Sequence, residues 1–187
     1  MHFCKPIEFK FAAGKQGRFR GIAASFGPTP DRQGDIILPG AFAQTLRDWN
    51  DRGANIPLLW DHQTAEPIGA VQSAQETADG LEVEGLLAEG IGNAERAMRL
   101  LSTGALSMSV GFTIASGGAR LRHDGVREIA AIDLAEISLV SVPADPRAVV
   151  REVKRDIRSF ETAVRDALGL SSREAKRLAA GGFAAMV

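Results

Sequence analysis

The sequence predicts an α+β protein dominated by strands and closed by a helical tail. Apolar and polar residues alternate from Phe9 to about Val142, two stretches inside that span switch to helical spacing, and the composition turns charged and alanine-rich after Pro146. Alternation puts one face of a strand on a core, whereas a 3.6-residue period does the same for a helix.

F-R-G-I-A-A-S-F reads as the first strong strand, and P-T-P-D-R-Q-G-D is a turn rich in breakers before I-I-L. After Pro39-Gly40, Phe42, Leu46 and Trp49 fall on one helical face, and that helix stops near Asn50 and Gly53. I-P-L-L-W-D-H, I-G-A-V and G-L-E-V-E-G-L-L are the next strands. A second amphipathic helix spans roughly 93–102, with Ala94, Ala97 and Leu101 on one face and Gly104 placed as its C-terminal cap. Two further strands, 106–114 and 132–142, flank S-G-G-A-R-L-R-H-D-G-V-R, a hairpin or flexible loop. In the tail Ile157, Phe160, Val164 and Leu168 form an apolar stripe, Gly169 suits a cap, and Ser171-x-x-Glu174 is a capping box for a last helix. The final G-G-F-A-A-M-V reads as frayed. The division expected is a 1–150 barrel domain and a 151–187 helical tail too poor in apolar residues for a core of its own.

At 187 residues, nearly half of them apolar, the chain is long enough to bury one substantial core. Basic and acidic residues interleave to a formal charge of -1, with no Lys/Arg stripe, which argues against nucleic acid. No apolar run approaches the ~20 residues of a membrane span, and M-H-F-C-K-P-I-E-F-K-F is too charged for a secretory signal. Cys4 is the single cysteine, so no internal disulfide forms and a reducing cytoplasm is the expected setting.

Three segments carry candidate chemistry. In G-A-L-S-M-S-V-G-F, strand alternation puts Ser107, Ser109, Gly111 and Thr113 on one small, polar face and Met108, Val110, Phe112 and Ile114 on the other. Ser109 followed by Gly111 suits a nucleophile, because glycine lets backbone N–H groups approach a developing oxyanion; a solvent-facing stripe of small residues reads the same way. Of three histidines, His2 is terminal and His123 sits in a turn-like H-D-G, which leaves His62, at the end of an apolar strand, as the well-placed base. A rim histidine with no chemistry is the plainer alternative. Glu136 lies among Ile137, Leu139 and Val140, where a carboxylate must be paired; a histidine is one partner and an arginine another. Asp133 and Ser138 are alternative third members. Asp31, Asp35, Asp61 and His62 invite a metal reading, but D-R-Q-G-D is an ordinary turn and no paired Cys/His spacing accompanies it, so neither metal nor cofactor is expected.

In this order, G-I-A-A-S-F, D-R-Q-G-D-I-I-L-P-G-A-F, the His62 segment with P-I-G-A-V, S-T-G-A-L-S-M-S-V-G-F and D-L-A-E-I-S-L-V-S-V-P-A-D-P-R-A resemble the tailed-phage prohead, or capsid maturation, serine proteases, distant fold relatives of the herpesvirus assemblins. The resemblance covers about residues 19–150, and the tail is similar to the end of such proteases in phages and gene transfer agents. It implies a mainly antiparallel, assemblin-like β-barrel flanked by helices, with His62 as base, Ser109 as nucleophile and Glu136 as orienting acid. It implies as substrates the scaffold portion of the major capsid protein and the protease itself, with a homodimer as a further partnership, inside the procapsid in the cytoplasm of a bacterial host. A catalytically inactive internal scaffold protein is the competing class; all three positions are filled by competent residues, which favours the enzyme.

Overall fold

Eleven strands and four helices follow one another in the computed structural model, which describes residues 8–11, 17–155 and 157–181. The order is β1 (Glu8–Phe11), β2 (Arg18–Ser25), β3 (Asp35–Ile37), α1 (Ala43–Asp51), β4 (Pro57–Trp60), β5 (Pro67–Thr77), β6 (Gly80–Leu87), α2 (Gly92–Leu101), β7 (Ser107–Ile114), β8 (Ala119–Leu121), β9 (Arg127–Ile129), β10 (Ile132–Val140), β11 (Val149–Arg155), α3 (Ile157–Leu168) and α4 (Ser172–Gly181). The chain divides into two units, one holding Gly17–Val153 and the other Lys154–Val187 with Phe9–Gln16.

The first unit is α+β, as the sequence implied. Its main sheet runs β11-β2-β6-β5-β4-β10-β7 and curls into a half-barrel flanked by α1 and α2. The pairings β2–β6, β5–β6, β4–β5 and β7–β10 are antiparallel, whereas β4 and β10 run parallel. The core is filled by Phe19, Leu58, Ile68, Leu81, Met108, Ile137 and Leu139, and by Phe42 from the turn before α1. The hairpin expected near 116–127 is present as β8–β9, and β3 joins it in parallel to make a separate three-stranded sheet.

Two places depart from the sequence expectation. Residues 149–155 are a strand, not the start of a helix. β-Branched valines fit a pleated, half-buried surface, and Val150 and Val153 are buried. The strand carrying Leu58 ends at Trp60, and Asp61 and His62 take left-handed backbone angles (φ 50° and 59°), so alternation along β4 does not set the direction of His62.

In the second unit Gly169 has φ +64° beyond α3. The capping box forms: Ser171 N–H donates to Glu174 Oε2 (2.8 Å) and Glu174 N–H donates to Ser171 Oγ (3.3 Å). Of the G-G-F-A-A-M-V end expected to fray, Gly181 is the last residue of α4 and 182–187 lie outside the described residues, as do His2 and Cys4.

Candidate active site

Glu136 reaches the site because β10 changes phase. Ile132 and Leu134 point into the core, and so do Ile137 and Leu139, an interval that strict alternation does not allow. The register with β7 shows why: Leu134 pairs with Phe112 and Glu136 with Gly111, so Ala135 is an extra residue, a bulge. Beyond it Glu136 and Ser138 face away from the core, beside Gly111 and Ser109.

Helix α1 holds this bulge. The Leu134 N–H donates to Thr45 Oγ1 (3.0 Å), and the Trp49 indole N–H donates to Leu134 O (2.8 Å). The helix is itself tied to the sheet, since the Glu76 carboxylate accepts the N–H groups of Gly40 and Phe42, both at 2.8 Å. A bulge leaves backbone groups without ladder partners, and those groups need others.

His62 arrives from the parallel neighbour. With Trp60 in register with Leu139, the turn after β4 comes out over the end of β10. Asp61 N–H donates to Leu139 O (3.1 Å) and His62 N–H to Ser138 Oγ (3.0 Å). Left-handed angles cost a non-glycine residue about 1–3 kcal/mol, and these two bonds offset that cost.

The polar groups converge. His62 Nδ1 lies 2.7 Å from Glu136 Oε1, and Ser138 Oγ–H donates to Glu136 Oε2 at 2.7 Å. Both carboxylate oxygens therefore have partners although Glu136 is only 7% exposed. The imidazole side chain is 43% exposed, with one edge in solvent. Its pKa is raised above the ordinary histidine value, chiefly by the hydrogen bond that Nδ1–H donates to Glu136, against an opposing effect of burial and with smaller help from the charges of Glu136 and Asp61. With Nδ1 committed to Glu136, Nε2 is the nitrogen free to exchange a proton.

His62 and Ser109 line one cleft of about 660 Å³ together with Val110, Gly111 and Phe112. Ser109 is 6% exposed and stands opposite Ser138 in the ladder, whereas Ser107 pairs with Val140 and is not among the lining residues. Asp133 is exposed and pairs with Thr113, before the bulge. The cleft is also lined by Ala23 and Ala24 and by the loop Val142 to Asp145. That loop is pinned by Asp145, which accepts the N–H and hydroxyl of Ser25 and, at 3.0 and 2.8 Å, the N–H and Nε of Arg147. Arg32 adds a guanidinium bond to Pro143 O and a backbone bond to Ala144 O (3.0 Å). Burial is the largest influence on Asp145 and pushes its pKa up, yet the hydrogen bonds from Ser25 and Arg147 together hold it below the usual carboxylate value.

Two acids of the supposed metal cluster have other duties. Asp35 takes a bidentate Arg127 (2.7 and 2.6 Å), and Asp31 Oδ1 accepts the N–H groups of Gln33 and Asp35. Among the described residues no three ligating side chains converge. Gly111 also has a role that the sequence did not disclose. A Cβ there would overlap Glu136 Oε1 and lie 2.8 Å from Cδ and 2.9 Å from Cγ, so the missing side chain is the space that the carboxylate fills.

The sequence profile of a family described as "Caudovirus prohead serine protease" matches residues 5–163. A serine protease is thus the class to which this chain belongs. The chain is a member of the caudovirus prohead serine proteases, matched along most of its length. It is 36% identical over 183 residues to the prohead protease of Enterobacteria phage HK97, covering 92% of this chain and 79% of that protein. It is 29% identical over 190 residues to the capsid polyprotein of Pseudomonas phage PAJU2, of which it spans only 26%. Among solved structures, Kaposi's sarcoma-associated herpesvirus protease bound to a hexapeptide phosphonate inhibitor is similar at a TM-score of 0.48 and 13% identity, over 86% of this chain and 73% of that one.

Proposed function

We propose that His62, Ser109 and Glu136 form the catalytic triad of a capsid-maturation endopeptidase, which cleaves the scaffold portion of the major capsid protein, and itself, inside the procapsid of a bacterial host cell. The observation that carries this reading is the 2.7 Å contact of His62 Nδ1 with Glu136, on an imidazole that shares its cleft with Ser109. His62 Nε2 takes the proton as Ser109 Oγ attacks the scissile carbonyl, then delivers it to the leaving amine. Glu136 fixes the imidazole tautomer and stabilises the imidazolium while remaining ionised. Water repeats the attack to release the acyl group.

The substrate is an extended segment. Leu134 turns both peptide groups to α1, away from β7, so its register partner Phe112 turns its own away from β10. Val110 and Ile114 share that direction, all three line the cleft, and β7 ends the sheet. These features support strand-like pairing of a polypeptide beside Ser109. Internal scaffold of a coat protein, crowded at high concentration within a shell, fits that requirement, and a second copy of this chain supplies the same backbone for self-cleavage.

The test is co-expression with the coat protein, wild type against Ser109→Ala, with intact-mass analysis of both products. Truncation in the wild type alone is the expected result. Equal truncation in both would remove Ser109 as nucleophile, and none in an assembled wild-type shell would remove the maturation role.

A further inference from the structure

Ser138 is fully buried, faces the cleft side of β10 and takes no part in the proton transfers. Its hydroxyl nonetheless bonds two members of the triad: it donates to Glu136 Oε2 (2.7 Å) and accepts the main-chain N–H of His62 (3.0 Å). A hydroxyl has one proton to give and lone pairs to receive, and here both functions are used in fixed directions. Alanine supplies neither.

We infer that Ser138 is a positioning residue, whose hydroxyl sets the Glu136 carboxylate and the His62 main chain relative to one another so that Nδ1 meets Oε1. The inference rests on the triad reading. Without the donor at Oε2, the carboxylate is anchored only through the imidazole that it is meant to orient. Without the acceptor, His62 N–H is left unpaired at a residue whose left-handed backbone needs support (φ 59°). Ser138 thus joins β10 to the β4 turn at the point where the two catalytic side chains must register.

The consequence is separable from simple packing. A fluorophosphonate probe reports nucleophile activation without knowledge of the cleavage site, because the Ser109 oxygen forms a P–O bond as fluoride leaves and its proton passes to His62. Ser138→Ala is expected to slow the maximal rate of labelling about tenfold to a hundredfold, the range for losing a hydrogen bond to a charged group, with the concentration for half-maximal rate unchanged. Ser138→Thr, which keeps the hydroxyl, recovers most of that rate, whereas a side chain needed only for volume gives no such recovery. A second readout needs no turnover: in Ser109→Ala protein at low pH, the low-field NMR proton of His62 Nδ1–H is expected, lost on adding Ser138→Ala and retained on adding Ser138→Thr. Labelling of Ser138→Ala at the wild-type rate, or an unchanged Nδ1 proton, overturns the inference alone. Undiminished labelling of Ser109→Ala overturns the triad on which it stands.

Discussion

Replacing Gly111 with alanine asks whether this glycine serves the carboxylate or the oxyanion. A Cβ at 111 would lie 2.8 Å from Glu136 Cδ, and an ordinary carbon–carbon contact is about 3.5–4.0 Å. The carboxyl group must therefore retreat by roughly 0.7 Å or more. A bond of 2.7 Å to His62 then stretches to about 3.4 Å, near the limit at which hydrogen bonding ends. Loss of a charge-assisted bond costs about 1.5–3 kcal/mol, and a misplacement near 1 Å costs about 10²-fold in rate. We expect a fall in kcat of about 10²-fold. The backbone is no obstacle, because Gly111 does not occupy the left-handed region. The assay is a double-mutant cycle with Glu136→Ala, read by fluorophosphonate labelling and by thermal melting. With no carboxylate to displace, Gly111→Ala should cost less than about threefold more in the Glu136→Ala background. Wild-type activity in the single variant would refute the steric argument. An equal loss in both backgrounds would refute it differently, by pointing to close approach of the Gly111 backbone to the reacting carbonyl.

The raised pKa of His62 sets two pH dependences. In the proposed triad His62 must be neutral to act as base, so the acidic limb of kcat is expected to have its midpoint above 6.5, and Glu136→Gln should move it downward; a limb that stays in place in a kcat–pH titration would detach Glu136 from His62. For folding the sign is opposite: the stabilisation from this pair is complete below the unfolded pKa and is lost as pH rises through the folded one, which chemical denaturation of Ser109→Ala at several pH values would register. Thr45→Val leaves the buried Leu134 N–H without its acceptor and should cost about 1–3 kcal/mol, or a Tm drop of about 2–4 °C for each kcal/mol, together with lower kcat as the bulge loosens; an unchanged Tm by calorimetry would show that α1 does not hold the bulge.

Much of this site was legible in one dimension because its residues obey local rules. Small residues at Ser109 and Gly111, a histidine closing an apolar run and a carboxylate among Ile137, Leu139 and Val140 each break their surroundings in a way that calls for a partner. The bulge had a signature too, in the shift of apolar phase from Ile132 and Leu134 to Ile137 and Leu139, though a phase shift alone does not say which residue is extra. The direction of His62 had none, since left-handed angles at Asp61 and His62 follow from bonds to β10, about 75 residues away in sequence.

The sequence by itself determined the α+β class, the two core-flanking helices, the family resemblance and the three candidate residues, because periodicity, turn chemistry and motif order are properties of neighbours along the chain. Tertiary structure alone decided the rest: parallel pairing of β4 with β10, the clamp of α1 on Leu134, Gly111 as the space for a carboxylate, and Ser138 between Glu136 and His62. Each depends on which strands lie side by side and in what register, and that is set by the packing of the whole sheet.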